Sequence, residues 1–391
     1  MKPLNETRVS SSAGSSRVLF LSSFLVMSLL LVMPAWGNTP ATEKHVLFLG
    51  DTAFGESYHD IKGIHDIRGD RRYEVSFRYL GQFLMKSDVV VANLETPLTL
   101  SLDEPRQNKT YLHWGHPTKA ASSLRDHRIT AVALANNHTL DYGIPGLEDT
   151  LGALEDHGIA WFGAGLDLEE ASRPCHFSLQ LGESVLDLYV FSGFQYFGKY
   201  DREYHFYASP SGGGVNPVDV TALKDHVQKI RKDNPLAMIV YFPHWGSNYT
   251  WSDSRQKTMA YDLVDAGVDL VIGHGAHMMQ EVERYGDRWI VYGLGNFIFN
   301  SPGRYAKAKV APFSIMADLV LGTGGDPLAR ELRLYPIITD NYITRYQGRP
   351  LDHREFELFT SILADKGLDR ASEKCRTGKD DRGYYLSLQL D

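Results

Sequence analysis

Cysteine is nearly missing from this chain: there are two, Cys175 and Cys375, in 391 residues. That excludes a disulfide-built scaffold, and the pair is not spaced as zinc ligands. Two states fit the sequence, one disulfide clamping the C-terminal segment to the body or two unpaired thiols, and neither residue looks like a nucleophile. A basic block is also lacking, and the formal net charge is −8. The chain therefore has no general attraction for nucleic acid or any other polyanion. An anionic substrate has to be held locally, by a metal or a few side chains. The body has no low-complexity tract and no internal repeat.

Long apolar runs are scarce as well. One lies at residues 18–33, behind Lys2, Arg8 and Arg17 and ahead of Pro34-Ala35-Trp36-Gly37. The order basic, apolar, small predicts a secretory signal over 1–37, cleaved after Gly37. The alternative is an uncleaved membrane anchor, but the run falls below the usual length of a spanning helix and contains Ser22, Ser23 and Ser28. Cleavage removes three basic residues and one acidic, taking the net charge from −8 to −10. Either way the body is expected outside the cytoplasm, periplasmic, secreted or membrane-anchored.

What is present is an alternation of strand and helix patterns from Val46 to about Val320. Helical periodicity appears at 145–157, 219–232 and 252–266. Strand candidates lie at 46–49, 89–92, 130–134, 185–191, 238–242, 270–272, 289–292 and 314–321. This predicts a layered α/β sandwich over 45–321, flanked by helices, with residues 322–391 as a C-terminal extension packed on the body. Two long loops stand out, 99–117 and 195–217. The second carries Tyr196, Phe197, Tyr200, Tyr204, Phe206 and Tyr207, aromatic enough to line a groove or to pack on itself.

Five apolar runs end on a residue that binds metals or moves protons. Residues 45–50 run into Asp51, 88–94 into Glu95, and 129–136 into Asn137 and His138. Residues 236–243 run into His244, and 268–273 into His274 and then His277. In open α/β sheets, sites form outside the carboxyl ends of strands, so these residues are expected to converge. Asp51, Glu95 and Asn137 offer oxygen, and His244, His274 and His277 offer imidazole nitrogen. That mixed set suits one or two divalent ions, Zn, Mn or Fe. His138 is then free to act as general acid or to stabilise charge, and Asp141 to orient it.

Each residue has a local alternative. Asp51 can cap a segment, Glu95 can sit in a turn before Pro97, and Asn136-Asn137-His138 can be turn chemistry. His244 can be a satisfied histidine beside Trp245, and Asp141 can cap the helix that Pro145 opens. His113 and His116 fall in the first polar loop and are expected to face solvent or substrate.

Six motifs occur in order: Gly50-Asp51, Asn93-Leu94-Glu95, Ala135-Asn136-Asn137-His138 with Asp141-Tyr142-Gly143, His244-Trp245-Gly246, Gly273-His274-Gly275-Ala276-His277 with Gln280, and Gly293-Leu294-Gly295-Asn296-Phe297. Together they resemble those of the CapA family, the poly-γ-glutamate capsule biosynthesis group, whose fold is similar to calcineurin-type metallophosphoesterases. The resemblance implies Glu95 as a bridging carboxylate, Asn137 as ligand and His138 as catalytic histidine. It also exposes a departure: Ala53 stands where a histidine ligand is expected, which points to a mononuclear or weakly loaded second site. The implied role is synthesis, export, tethering or trimming of a cell-surface polymer such as poly-γ-glutamate, by metal-dependent hydrolysis of a phosphoester or amide. Expected partners are an anionic polymer or phosphorylated substrate and the cell-envelope synthesis machinery, with no nucleic acid, and a membrane only if the N-terminal segment stays uncleaved. A non-catalytic polymer-binding module and a general exported phosphodiesterase are the alternatives.

Overall fold

Val46, Leu47, Phe48 and Leu49 sit in the strand Lys44–Ala53, and all four are buried. Successive strand residues point to opposite faces. Val46 and Phe48 enter one apolar cluster with Val240 and Phe242, while Leu47 and Leu49 enter another with Leu124 and Leu147. A second sheet covers one face and helices cover the other, which is why the strand reads as a continuous apolar run instead of alternating. The computed structural model describes residues 43–56, 72–103, 105–322 and 330–390. The expected signal segment, 1–37, lies outside the described residues.

On one side of this strand follow Val89–Leu94, Ala131–Ala133 and Ala160–Phe162, all parallel. On the other side the sheet continues antiparallel through Phe313–Leu321, Arg330–Ile338, Tyr384–Leu390 and Cys375–Lys379. The second sheet runs Val282–Tyr285, Arg288–Val291, Leu270–Ile272, Met238–His244, Ser184–Phe194 and Cys175–Leu181. Helices Pro117–Asp126 and Gly143–Asp156 pack on the outer face of the first sheet. Helices Val220–Asp233 and Ser254–Asp265, capped by Asp219 and Asp253, pack on the outer face of the second. The result is the layered α/β sandwich that the alternating pattern predicts.

The C-terminal stretch adds strands to the first sheet and core to the interior. Phe356, Phe359 and Leu363 of the helix His353–Asp365 enter the cluster between the sheets. Residues Pro40–Asp391 form one compact unit. Among the described residues no helix is long and apolar enough to cross a membrane.

Cys175 and Cys375 lie buried and unpaired in that same inter-sheet cluster. Burial pushes the Cys175 thiol up to about 12, so little of it is thiolate at neutral pH. The native protein is expected to react slowly with a thiol reagent and to show both thiols after denaturation without reductant. No labelling of the denatured chain would establish the disulfide instead.

Candidate metal centre

Strand ends deliver the acidic and histidine side chains. Asp51 lies in Lys44–Ala53 at an irregularity in pairing, with Asn93 and Asn296 as its neighbours on the two flanking strands. Such irregularities re-aim a side chain. Gly50 is required just before it, because a Cβ there would fall 1.8 Å from the Gly295 carbonyl oxygen. That oxygen accepts the Asp51 N–H at 3.0 Å. Glu95 follows Val89–Leu94, and His244 closes Met238–His244 beside His274, joined by a parallel bridge. His277 holds a left-handed backbone, φ 58°, which histidine adopts more readily than most side chains. The Tyr305 hydroxyl fixes it by donating to the His277 carbonyl at 2.8 Å.

The side chains meet in two overlapping groups, Asp51 with His244 and His274, and Asp51 with Glu95 and His277; within each, the ligand atoms lie within 4.8 Å of one another. Asp51 Oδ1 is 3.5 Å from His274 Nδ1, and Asp51 Oδ2 is 3.1 Å from His277 Nδ1. Glu95 Oε1 is 3.8 Å from His277 Nε2, 4.0 Å from His244 Nε2 and 3.9 Å from His138 Nε2. Asp51 therefore belongs to both groups, and Glu95 Oε1 reaches from His277 towards His244. Asn93 Nδ2 donates to Asp51 Oδ1 at 2.9 Å, and Asn136 Nδ2 donates to Asn93 Oδ1 at 3.0 Å. Asn296 Oδ1 is 2.9 Å from His277 Nδ1 and takes its N–H, leaving Nε2 turned to Glu95. Ala53, two residues past Asp51, is buried and contributes no donor.

The donor set fits a divalent cation. Asp51 Oδ2, both oxygens of Glu95, Asn137 Oδ1 and His274 Nε2 are buried with no hydrogen-bond partner. Burying a carboxylate in that state costs several kcal/mol, of order ~2–7 even for a neutral polar group. Within 4.0 Å, the ion-pair partners of Asp51 and Glu95 among the described residues are histidines. His244 and His274 place their Nδ1 atoms 3.1 Å apart, where two lone pairs repel unless a proton or cation lies between them. Burial alone would raise the Asp51 carboxyl, yet His274 and His277 hold it well below the usual range. Burial, with the Asp51 charge alongside, pushes Glu95 well up. Burial and then the His274 charge push His244 well down, towards the neutral imidazole that ligates metals. Two adjacent buried carboxylates ringed by imidazole nitrogens form a donor set suited to a positive ion.

A second constellation adjoins it. His138 Nδ1 is 2.6 Å from Asp141 Oδ2. Lys109 Nζ is 2.5 Å from Asp141 Oδ1 and 3.1 Å from His138 Nδ1. The His113 ring stacks on His138, centroids 3.6 Å apart and planes within 3°. Burial, and after it the Lys109 ammonium, push His138 well below its ordinary value. Asp141 makes no cap to the helix Gly143–Asp156, whose N-cap Tyr142 has no side-chain bond. Its carboxylate is committed to His138, Lys109 and the His113 N–H.

A cleft of about 420 Å³ opens above, lined by Lys109, Asn137, His138, Tyr200, His277 and Arg304 among others. Burial pushes the Tyr200 phenol, next to the Asn137 amide, up to about 12. The aromatic loop mostly packs on itself: Phe194, Tyr200, Tyr204 and Phe206 meet edge to face, and only Tyr196 is largely exposed. Asp51, Glu95, His244, His274 and His277 thus come together, with His138 and Asp141 beside them and Asn137 on the same cleft. His113, expected to face solvent or substrate, stacks on His138, nearly closed to solvent, and lines the same cleft. Lys109 carried no signal in the sequence, being one lysine in a polar loop. Asn93 and Asn296 lay in the quoted motifs without an assigned role.

Fold and site together define a two-sheet α/β protein with a candidate metal centre at its strand ends. Residues 45–301 match the family described as bacterial capsule synthesis protein PGA_cap. That is about two thirds of the chain, and the chain belongs to this family. It is 27% identical over 270 residues to the PGA biosynthesis protein CapA of Bacillus subtilis, covering 68% of each chain. It is 30% identical over 227 residues to the capsule biosynthesis protein CapA of Bacillus anthracis, covering 57% of this chain and 53% of that one. A crystal structure titled as a novel phosphatase, from Mycoplasma pneumoniae, aligns over 78% of this chain and 96% of its own, at 13% identity and a TM-score of 0.43.

Proposed function

We propose that this protein is an exported, metal-dependent hydrolase acting on a phosphoester or amide of an anionic cell-surface polymer, or of a phosphorylated precursor of one. Poly-γ-glutamate is the polymer that the family suggests. The observation that carries the reading is a pair of buried carboxylates, Glu95 with both oxygens and Asp51 with Oδ2 lacking a hydrogen-bond partner, set among His244, His274 and His277 under a cleft. Those five side chains and Asn137 would hold one or two ions of Mn, Zn or Fe. Such ions, when bound, polarise a phosphoryl or carbonyl oxygen and supply a water nucleophile at neutral pH.

The chain's own residues do the rest. Lys199 and Arg304 line the cleft and give an otherwise acidic protein local positive charge for an anionic substrate. His138 turns Nε2 to the centre while Asp141 holds Nδ1–H, so it can move a proton between water and leaving group. Export rests on the basic, apolar, small order of residues 1–37.

The test incubates the purified protein with poly-γ-glutamate and with bis(p-nitrophenyl) phosphate, with Mn or Zn and with a chelator. Cleavage of either that needs metal and stops with chelator is the expected result. Polymer bound but nothing cleaved under every metal condition would make the protein a binding module.

A further inference from the structure

We propose that Lys109 is a positioning residue: its ammonium, seated on Asp141 Oδ1, fixes that carboxylate so that Oδ2 takes the His138 Nδ1–H and Nε2 stays aimed at the centre. The kinetic part of this proposal rests on the hydrolase reading; the geometry does not.

Lys109 comes from the irregular stretch between the first polar strand end and the helix Pro117–Asp126, yet its side chain is only 6% exposed. Its Nζ donates to Asp141 Oδ1 and to the Tyr111 carbonyl at 2.9 Å, and lies 3.1 Å from His138 Nδ1. An ammonium has three donors and no acceptor, so it cannot receive a hydrogen bond from His138. Two arrangements of the neutral imidazole then compete. In one, Nδ1–H donates to Asp141 Oδ2 at 2.6 Å. In the other, a bare Nδ1 accepts from Lys109 at 3.1 Å but faces the same carboxylate oxygen, acceptor against acceptor. Lys109 on Oδ1 and the His113 N–H on Oδ2, at 2.6 Å, lock the carboxylate in the orientation that favours the first. The stacked His113 ring blocks rotation of the imidazole out of plane.

The loop does not need the ammonium to stay seated. Arg106 N–H donates to the Asp141 carbonyl at 2.7 Å, Arg106 Nε to the Leu140 carbonyl at 3.3 Å, and the Tyr204 hydroxyl to the Asn108 carbonyl at 2.8 Å. A substitution at 109 therefore removes the charge from beside Asp141 while these contacts hold the backbone.

The experiment uses full-length, metal-loaded protein labelled with [15N]histidine, as wild type, Lys109→Met and Lys109→Arg. Turnover is followed with bis(p-nitrophenyl) phosphate, and the His138 ring nitrogens by their 15N shifts. Lys109→Met should lower kcat by about 10–100-fold, the usual range for a residue that orients a functional group, with KM and metal content unchanged. Its His138 signals should move from an Nδ1–H pattern towards a mixture of tautomers. Lys109→Arg should recover most of both, because it can still donate to Oδ1. If Lys109→Met does not fold, Lys109→Leu, which likewise has no donor, carries the same expectations. Unchanged kcat with unchanged His138 signals would overturn the proposal, and a rise in KM alone would make Lys109 a substrate contact instead. If the wild type turns over nothing, the hydrolase reading fails and the 15N signature by itself decides on Lys109.

Discussion

Glu95→Gln should cost at least about 100-fold in metal affinity, since partners one shell further out already account for about 10–100-fold. The substitution keeps shape and removes charge. Glu95 is fully buried, neither oxygen has a hydrogen-bond partner, and three imidazole Nε2 atoms stand within 4.0 Å of Oε1. The same features give a second, opposite signature. Without metal, a charged Glu95 beside Asp51 destabilises the fold, and burial pushes its carboxyl up for that reason. Metal-free Glu95→Gln should therefore melt higher than metal-free wild type, while saturating Mn or Zn should raise the melting temperature of wild type by more than that of the variant. Thermal melts with and without chelator, beside a metal titration, read both effects. Wild-type affinity in Glu95→Gln would remove Glu95 from the ligand set.

His138→Ala should lower kcat by about 10²–10⁴-fold, the range for loss of a general acid or base, and leave metal content intact. His244→Ala should lose metal. The structure separates the two roles by what each ring meets. His244 meets His274 Nδ1 at 3.1 Å inside a three-residue ligand group. His138 gives Nδ1 to Asp141 and stands farther off, its Nε2 3.9 Å from Glu95 Oε1. Turnover and elemental analysis of the two variants, side by side, check this. Equal metal loss in both would make His138 a ligand.

The convergence of the candidate ligands was legible because the apolar runs lead into them, and parallel strands buried on both faces announce themselves in sequence. The strand Leu270–Ile272 and the end of Met238–His244 show this most simply, since three or four buried residues fix where His274 and His244 emerge. The helices of the second sheet were legible through periodicity and through caps at Asp219 and Asp253. What stayed hidden depends on tertiary closure. His113 and Lys109 lie in a stretch without period, and only its return to Asp141 carries them to His138. The strand Asn296–Phe299 pairs with Lys44–Ala53 across some 245 residues of sequence, which no local pattern encodes. The aromatic loop left two readings open in sequence, a groove lining or a self-packed loop, because a run of Tyr and Phe reads alike whether its rings face a ligand or one another; the rings largely meet one another.

The central claim is that Asp51 joins two groups of metal ligands at the strand ends. Anomalous scattering from crystals of the protein loaded with Mn or Zn tests it most directly. The account predicts a peak among Asp51, His244 and His274, and a second, weaker one among Asp51, Glu95 and His277, where Ala53 supplies no donor. No peak at saturating metal, or a peak away from Asp51, would contradict it.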